Sequence, residues 1–161
     1  MRRGTDTRQQ EIIVVEAILR DYPAICLSLE RRRRELEASV GPCPAGAVMG
    51  GKMEPEQQRI LDAKLRDVEY CELSAIVERL GSALIEATEE IRFILRKLFF
   101  DGDSVDCVAS ELGYARSVIF SQKRHAVVYM RYACMDVLKM VWRWRDREAE
   151  RAKREIGRAH V

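Results

Sequence analysis

Residues 104–124, SVDCVASELGYARSVIFSQKR, constrain this chain more than any other stretch. Val105, Val108, Ala109 and Leu112 recur at helical spacing, so they share one face of a helix. Gly113 breaks that pattern, and a second helical run begins near Ala115 or Arg116. Its apolar stripe passes through Ile119 and Ala126. Arg116, Ser117, Ser121, Lys123 and Arg124 fall on its other faces. The pattern predicts two helices joined by a glycine turn and braced by their apolar sides.

The remainder also reads as helix. Residues 8–19 carry Ile12, Val15 and Leu19 on one side. Asp21-Tyr22-Pro23 then predicts an interruption, because proline fits a first helical turn and not a helix interior, with Asp21 as the cap. A second helix to about residue 39 would turn Ile25, Leu29 and Leu36 inward, making residues 8–39 a helical hairpin. Residues 40–53, VGPCPAGAVMGGKM, read as a loop rich in Gly and Pro. Glu54-Pro55 suits a helix start. The apolar stripe of Leu61, Leu65, Val68 and Cys71 passes to Leu73, Ile76, Leu80 and Leu84, with a break expected near Gly81, so residues 54–87 form connecting helices. Thr88 with Glu89 and Glu90 predicts another entry, a hydroxyl cap with acids at the positive end of the helix dipole. That helix carries Ile91, Leu95, Leu98 and Phe99. Asp101-Gly102-Asp103-Ser104 reads as a turn and a cap. The last helix is expected to run well past Met130, since no Pro or Gly follows until Gly157. No alternating strand pattern is present, so the expected class is all-α, with a rear unit at 88–154.

Charge separates the two ends of that rear unit. The chain of 161 residues is nearly balanced at +2, yet residues 113–154 hold 11 Lys/Arg against 4 Asp/Glu. Residues 83–112 hold 3 against 7. A basic stretch beside an acidic one can orient a protein on a polyanion. The five cysteines, Cys26, Cys43, Cys71, Cys107 and Cys134, are odd in number and have no Cys-x-x-Cys spacing. They read as reduced thiols in or near the core, not as a disulfide scaffold or zinc ribbon. MRRGTDTRQQ lacks the apolar core of a signal peptide, and Arg131, Asp136 and Lys139 break the most apolar stretch, 126–142. A cytoplasmic protein is expected, with no membrane contact. Residues 155–161, EIGRAHV, are what an in-frame read into a widely used sequencing adapter would encode. They are expected to be non-native, His160 included.

The spacing assigns roles along the second helix of the opening pair. If Ile119 and Ala126 face the preceding helices, Ser117, Ser121 and Arg124 point outward toward base edges, with Phe120 at the border. Arginine can bind guanine O6 and N7 together, discriminating by ~1–3 kcal/mol. Arg116, Lys123 and Arg131 are placed for phosphates, which give salt-dependent affinity without sequence choice, and His125 lies near them at the surface. The alternative is two core helices joined by a turn, with no nucleic acid involved.

Other motifs weigh less. Residues 31–34 are four consecutive arginines, which spread around a helix and cannot form one flat patch. They read as a solvated face whose stems cover apolar neighbours, or as a second contact with DNA or a partner. Residues 46–53 nearly spell a phosphate loop, but Met53 stands where a Ser or Thr should bind magnesium, and no strand precedes. Trp142 and Trp144, with Tyr129, Tyr132, Val137 and Val141, suggest core or dimer packing. No arrangement for catalysis, metal binding or a cofactor stands out, so no enzyme is expected.

Residues 88–132 resemble region 4 of the sigma-70 class of transcription factors, in which a helix precedes a helix-turn-helix. Residues 17–36, AILRDYPAICLSLERRRREL, followed by a loop with Gly50-Gly51, resemble the phage ArpU/RinA-type transcriptional regulators. The resemblance covers about residues 10–140. It implies an all-α phage or prophage activator of late genes, with Arg116, Ser117, Phe120, Ser121 and Arg124 on the recognition helix. One departure is Ala115, where the helix usually opens on Ser or Thr, a loss of ~1 kcal/mol of capping. Double-stranded DNA is the expected partner, with RNA polymerase as a further one and a dimer or higher oligomer as the assembly. An antitermination factor, a small terminase-like packaging subunit, and a helical polymerase or sigma-factor partner that does not touch DNA remain alternatives.

Overall fold

A computed structural model of the protein describes residues 3–41 and 54–159. Seven helices account for nearly all of them, and no strand occurs among the described residues, as the sequence predicts. They are α1 (Arg3–Val40), α2 (Pro55–Arg66), α3 (Val68–Glu86), α4 (Glu89–Leu95), α5 (Val105–Leu112), α6 (Arg116–Asp136) and α7 (Leu138–Ala159). A wide π turn, Arg96–Phe100, extends α4. Among the described residues, no helix is long and apolar enough to cross a membrane.

The expected hairpin at 8–39 is instead one continuous helix with Pro23 inside it. Proline removes one backbone donor and costs about 3 kcal/mol in a helix interior. Burial on both sides outweighs that cost. Val15, Ile18 and Leu19 before it, and Ile25 after it, are all in the core. The Tyr22 ring packs against Phe100, with centroids 5.3 Å apart. Asp21 therefore caps nothing and pairs with Arg145 of α7 at 2.7 Å.

The break expected near Gly81 lies instead at Asp67, between α2 and α3. Asp67 is extended, and its side chain accepts from the Tyr70 N–H at 2.8 Å, an N-cap bond. Gly81 stays within α3, facing the Tyr22 hydroxyl. The change of direction splits the expected apolar stripe. Leu73, Ile76 and Leu80 are fully buried, whereas Leu61, Leu65, Val68 and Cys71 are exposed, and α2 contributes no buried residue. The inner side of α2 is instead fixed to α1 by polar contacts, among them Lys64 to Glu37 at 3.2 Å.

Other expected signals are realised locally. Pro55 occupies the first turn of α2. Thr88 caps α4 by accepting from the Ile91 N–H at 3.3 Å. Ser104 caps α5 by accepting from the Cys107 N–H at 3.1 Å. The helix through Met130 runs on as far as Asp136. Val137, itself buried, interrupts it, and α7 departs in a direction that buries Val141 and Trp144 against the front of the chain. Trp144 Nε1 donates to the buried Ser28 hydroxyl of α1 at 2.9 Å. Tyr132 and Trp142, expected to pack, stand 74% and 49% exposed. Residues 155–159, expected to be foreign to the fold, continue α7 as exposed helix.

Segments 8–39, 54–87 and 88–154 share one buried cluster, so α1 forms part of the floor on which the rear helices rest. Of the four described cysteines, Cys134 is buried, Cys26 half-buried, and Cys71 and Cys107 exposed, which corrects the expectation of core thiols for the last two. Burial pushes the Cys134 thiol up to about 12. Cys43, His160 and the near phosphate loop at 46–53 lie outside the described residues.

Of the four arginines at 31–34, the first two tie α1 to other elements and the last two pair within α1. Arg31 reaches Glu148 of α7 at 2.7 Å, and Arg32 grips Asp67 with Nε and Nη2. Arg33 pairs with Glu30 and Glu37, and Arg34 with Glu30. All four are satisfied within the fold, which favours the structural reading of the run. The Arg32 hydrogen bond, chiefly, holds the Asp67 carboxyl below its usual range. Folding thus weakens proton binding at Asp67, and acid favours the unfolded chain. This contribution is complete above the unfolded carboxyl pKa of about 3.9 and disappears as pH falls through the lower folded value. Urea unfolding from neutral pH downward should show stability falling in that acid window, with a smaller fall for Arg32→Ala. Equal acid slopes for both proteins would remove Arg32 as the cause.

Candidate nucleic-acid interface

Three residues, 113–115, connect α5 to α6. Gly113 takes the left-handed conformation (φ 69°) that an L side chain resists, and the Tyr114 N–H closes the turn on the Ala109 carbonyl at 3.0 Å. Ala115 opens α6 without a side-chain cap, as its missing hydroxyl predicts. Val108 and Ala109 of α5 are buried, together with Ile119, Ala126, Val127 and Met130 of α6. The two helices are therefore seated on a common floor by the apolar positions read from the sequence. Leu112, expected inward, is partly exposed beside the turn.

The opposite side of α6 is open. Ser117, Ser121 and Arg124 are exposed and follow one another at four- and three-residue steps, so they lie on one ridge. Phe120 borders it, 44% exposed, with the Arg116 guanidinium 5.3 Å from its ring centre. His125 is exposed on the other border. The same stepping continues to Val128 and Tyr132, both exposed, which lengthens the ridge beyond the residues singled out from sequence. The four-residue steps from Arg124 to Val128 and Tyr132 were legible in the sequence. The aromatic grouping with Trp142 and Trp144 assigns Tyr132 to core or dimer packing instead.

The cations around the ridge differ in availability. Among the described residues, Arg124 and His125 make no ion pair. Arg116 pairs with Asp106 of α5 at 3.1 Å, although both are well exposed. Lys123 lies 3.9 Å from Glu16, and Arg131 2.6 Å from Glu11, both acids belonging to α1. On the far border Gln122 donates to Glu90 of α4 at 2.8 Å. The ridge thus rises between two carboxylate-bearing helices. A groove of about 370 Å³, lined by Ile12, Ile13, Phe120 and Val127 among others, separates it from α1. Neither α1 pairing could be read from the sequence, because the partners are far apart along the chain, residue 16 with 123 and residue 11 with 131.

Among the described residues, no three His, Cys, Asp or Glu side chains come together as a metal site. No protein-family model, curated protein or solved structure matches this chain.

Proposed function

We propose that this protein is a sequence-specific double-stranded DNA-binding transcriptional regulator, of the phage late-gene activator kind implied by the resemblance, acting in the cytoplasm of a bacterial host without catalysis. One observation carries the reading: Ser117, Ser121 and Arg124 stand together on an open helical ridge whose reverse side is locked into the core. A rigid helix of this kind fits a major groove, where a donor such as Arg124 can address base edges. Arg116 and His125 are placed for flanking phosphates.

Selection of bound fragments from a random duplex pool tests this. A common sequence should emerge, and binding should weaken steeply from low to moderate salt. Arg124→Ala should relax the preference at one base position, losing ~1–3 kcal/mol of discrimination, or roughly 5- to 150-fold. An unselected pool and no duplex binding at low salt, by the intact chain or by its Glu11→Gln/Glu16→Gln form, would reject the proposal.

Val128 and Tyr132 favour a second reading, since exposed apolar side chains beside carboxylates suit a protein surface better than a phosphate backbone. On that reading the chain is a helical partner of RNA polymerase or a sigma factor. Polymerase retained by the protein in the absence of DNA supports it. Rings of many copies in light scattering would point to a packaging subunit.

A further inference from the structure

We infer that α1 acts as a brake on the α6 ridge: Glu11 and Glu16 occupy Arg131 and Lys123, and releasing these cations adds phosphate contacts beside Arg124. The inference rests on the reading of α6 as a DNA-facing helix and concerns how strongly that helix binds. The two pairings, residue 16 with 123 and residue 11 with 131, set α1 antiparallel along the flank of α6. Lys123 is held further by the Phe99 ring, 5.7 Å from its ammonium, and Arg131 lies over Tyr132 at the same distance. Glu16 also pairs with Arg20 at 3.5 Å. Arg124, between Lys123 and Arg131 in sequence, has no ion pair among the described residues and marks where the unbraked surface lies.

The chemistry is a competition of anions. A carboxylate on α1 and a phosphate oxygen on DNA seek the same guanidinium and ammonium groups. These pairs are partly exposed, so they are exchangeable and not a permanent lock. A cation already neutralised within the protein releases no counterion from DNA, so it adds nothing to the salt dependence of binding. Freed, each adds about 0.9 to the slope of log affinity against log salt.

The test is titration of a labelled mixed-sequence duplex at several salt concentrations with the intact chain and with Glu11→Gln/Glu16→Gln. The double variant should bind roughly tenfold more tightly at low salt, with a slope steeper by about 2. A control, Glu30→Gln/Glu150→Gln, makes the same charge change where Arg33, Arg34 and Lys153 are held, and should shift affinity by less than about twofold. Thermal melting checks that the variants fold. Should the double variant melt early, Glu16→Gln alone carries the test, with a slope change of about 1.

Unchanged slope and affinity in a wild type that does bind would overturn the brake and leave the DNA reading standing. An equal gain in the control would also overturn it, since net charge alone would then explain the effect. Binding by the variant but not by the wild type would be its strongest support. Failure of both to bind at low salt would overturn the brake together with the DNA reading.

Discussion

Trp144→Ala should lower the free energy of unfolding by about 3–5 kcal/mol. The indole is buried where α7 crosses α1. Truncation leaves a cavity between helices that arrive from opposite ends of the sequence, so the walls cannot close without moving one of them. It also removes the Nε1 donor from the Ser28 hydroxyl, which would be left with only its long contact to Glu148 at 3.4 Å. Trp144→Phe separates the two effects: most of the packing remains and the donor goes, at a cost of about 1 kcal/mol. For a chain of this length the alanine variant should melt roughly 6–20 °C lower. Urea unfolding that ranks wild type, phenylalanine and alanine in that order supports the account. Equal losses for both variants would make the hydrogen bond dominant, and no loss would detach α7 from the core.

Pro23→Ala should change stability in the opposite sense, by about 1–2 kcal/mol. An interior proline costs a helix about 3 kcal/mol through a missing N–H bond and a clash with the preceding turn. Alanine restores the bond from residue 23 to the Leu19 carbonyl. Part of the gain is offset, because proline also restricts the unfolded chain, by ~0.4–1 kcal/mol, and because its half-buried ring is lost. Hydrogen exchange gives a second readout, since the new amide at position 23 should be protected. Destabilisation, or an unprotected amide there, would mean that α1 is divided at this point after all, as the local sequence signal alone predicts.

These two positions show where local signals end. Proline at 23 has the same local chemistry as proline at 55, yet one lies inside a helix and the other opens one. The difference is what lies on either side: Leu19 and Ile25 both reach the core, whereas Glu54, directly before Pro55, is extended. The stripe of Leu61, Leu65 and Val68 has the spacing of a buried face and remains exposed, because Asp67 turns the chain and Arg32 holds the turn.

Residue order alone carries the all-α class, the caps at Thr88 and Ser104, the turn at Gly113, and the apolar stripe that turns Ser117, Ser121 and Arg124 outward. Each depends on neighbours within about one helical turn, a range over which side-chain spacing and backbone hydrogen bonding act directly. Packing between helices settles that α1 is unbroken, that Arg31 and Arg32 act as staples, that Tyr132 faces outward, and that Lys123 and Arg131 are engaged by α1. Those outcomes depend on burial and charge pairing between helices distant in sequence, which periodicity along one helix does not encode.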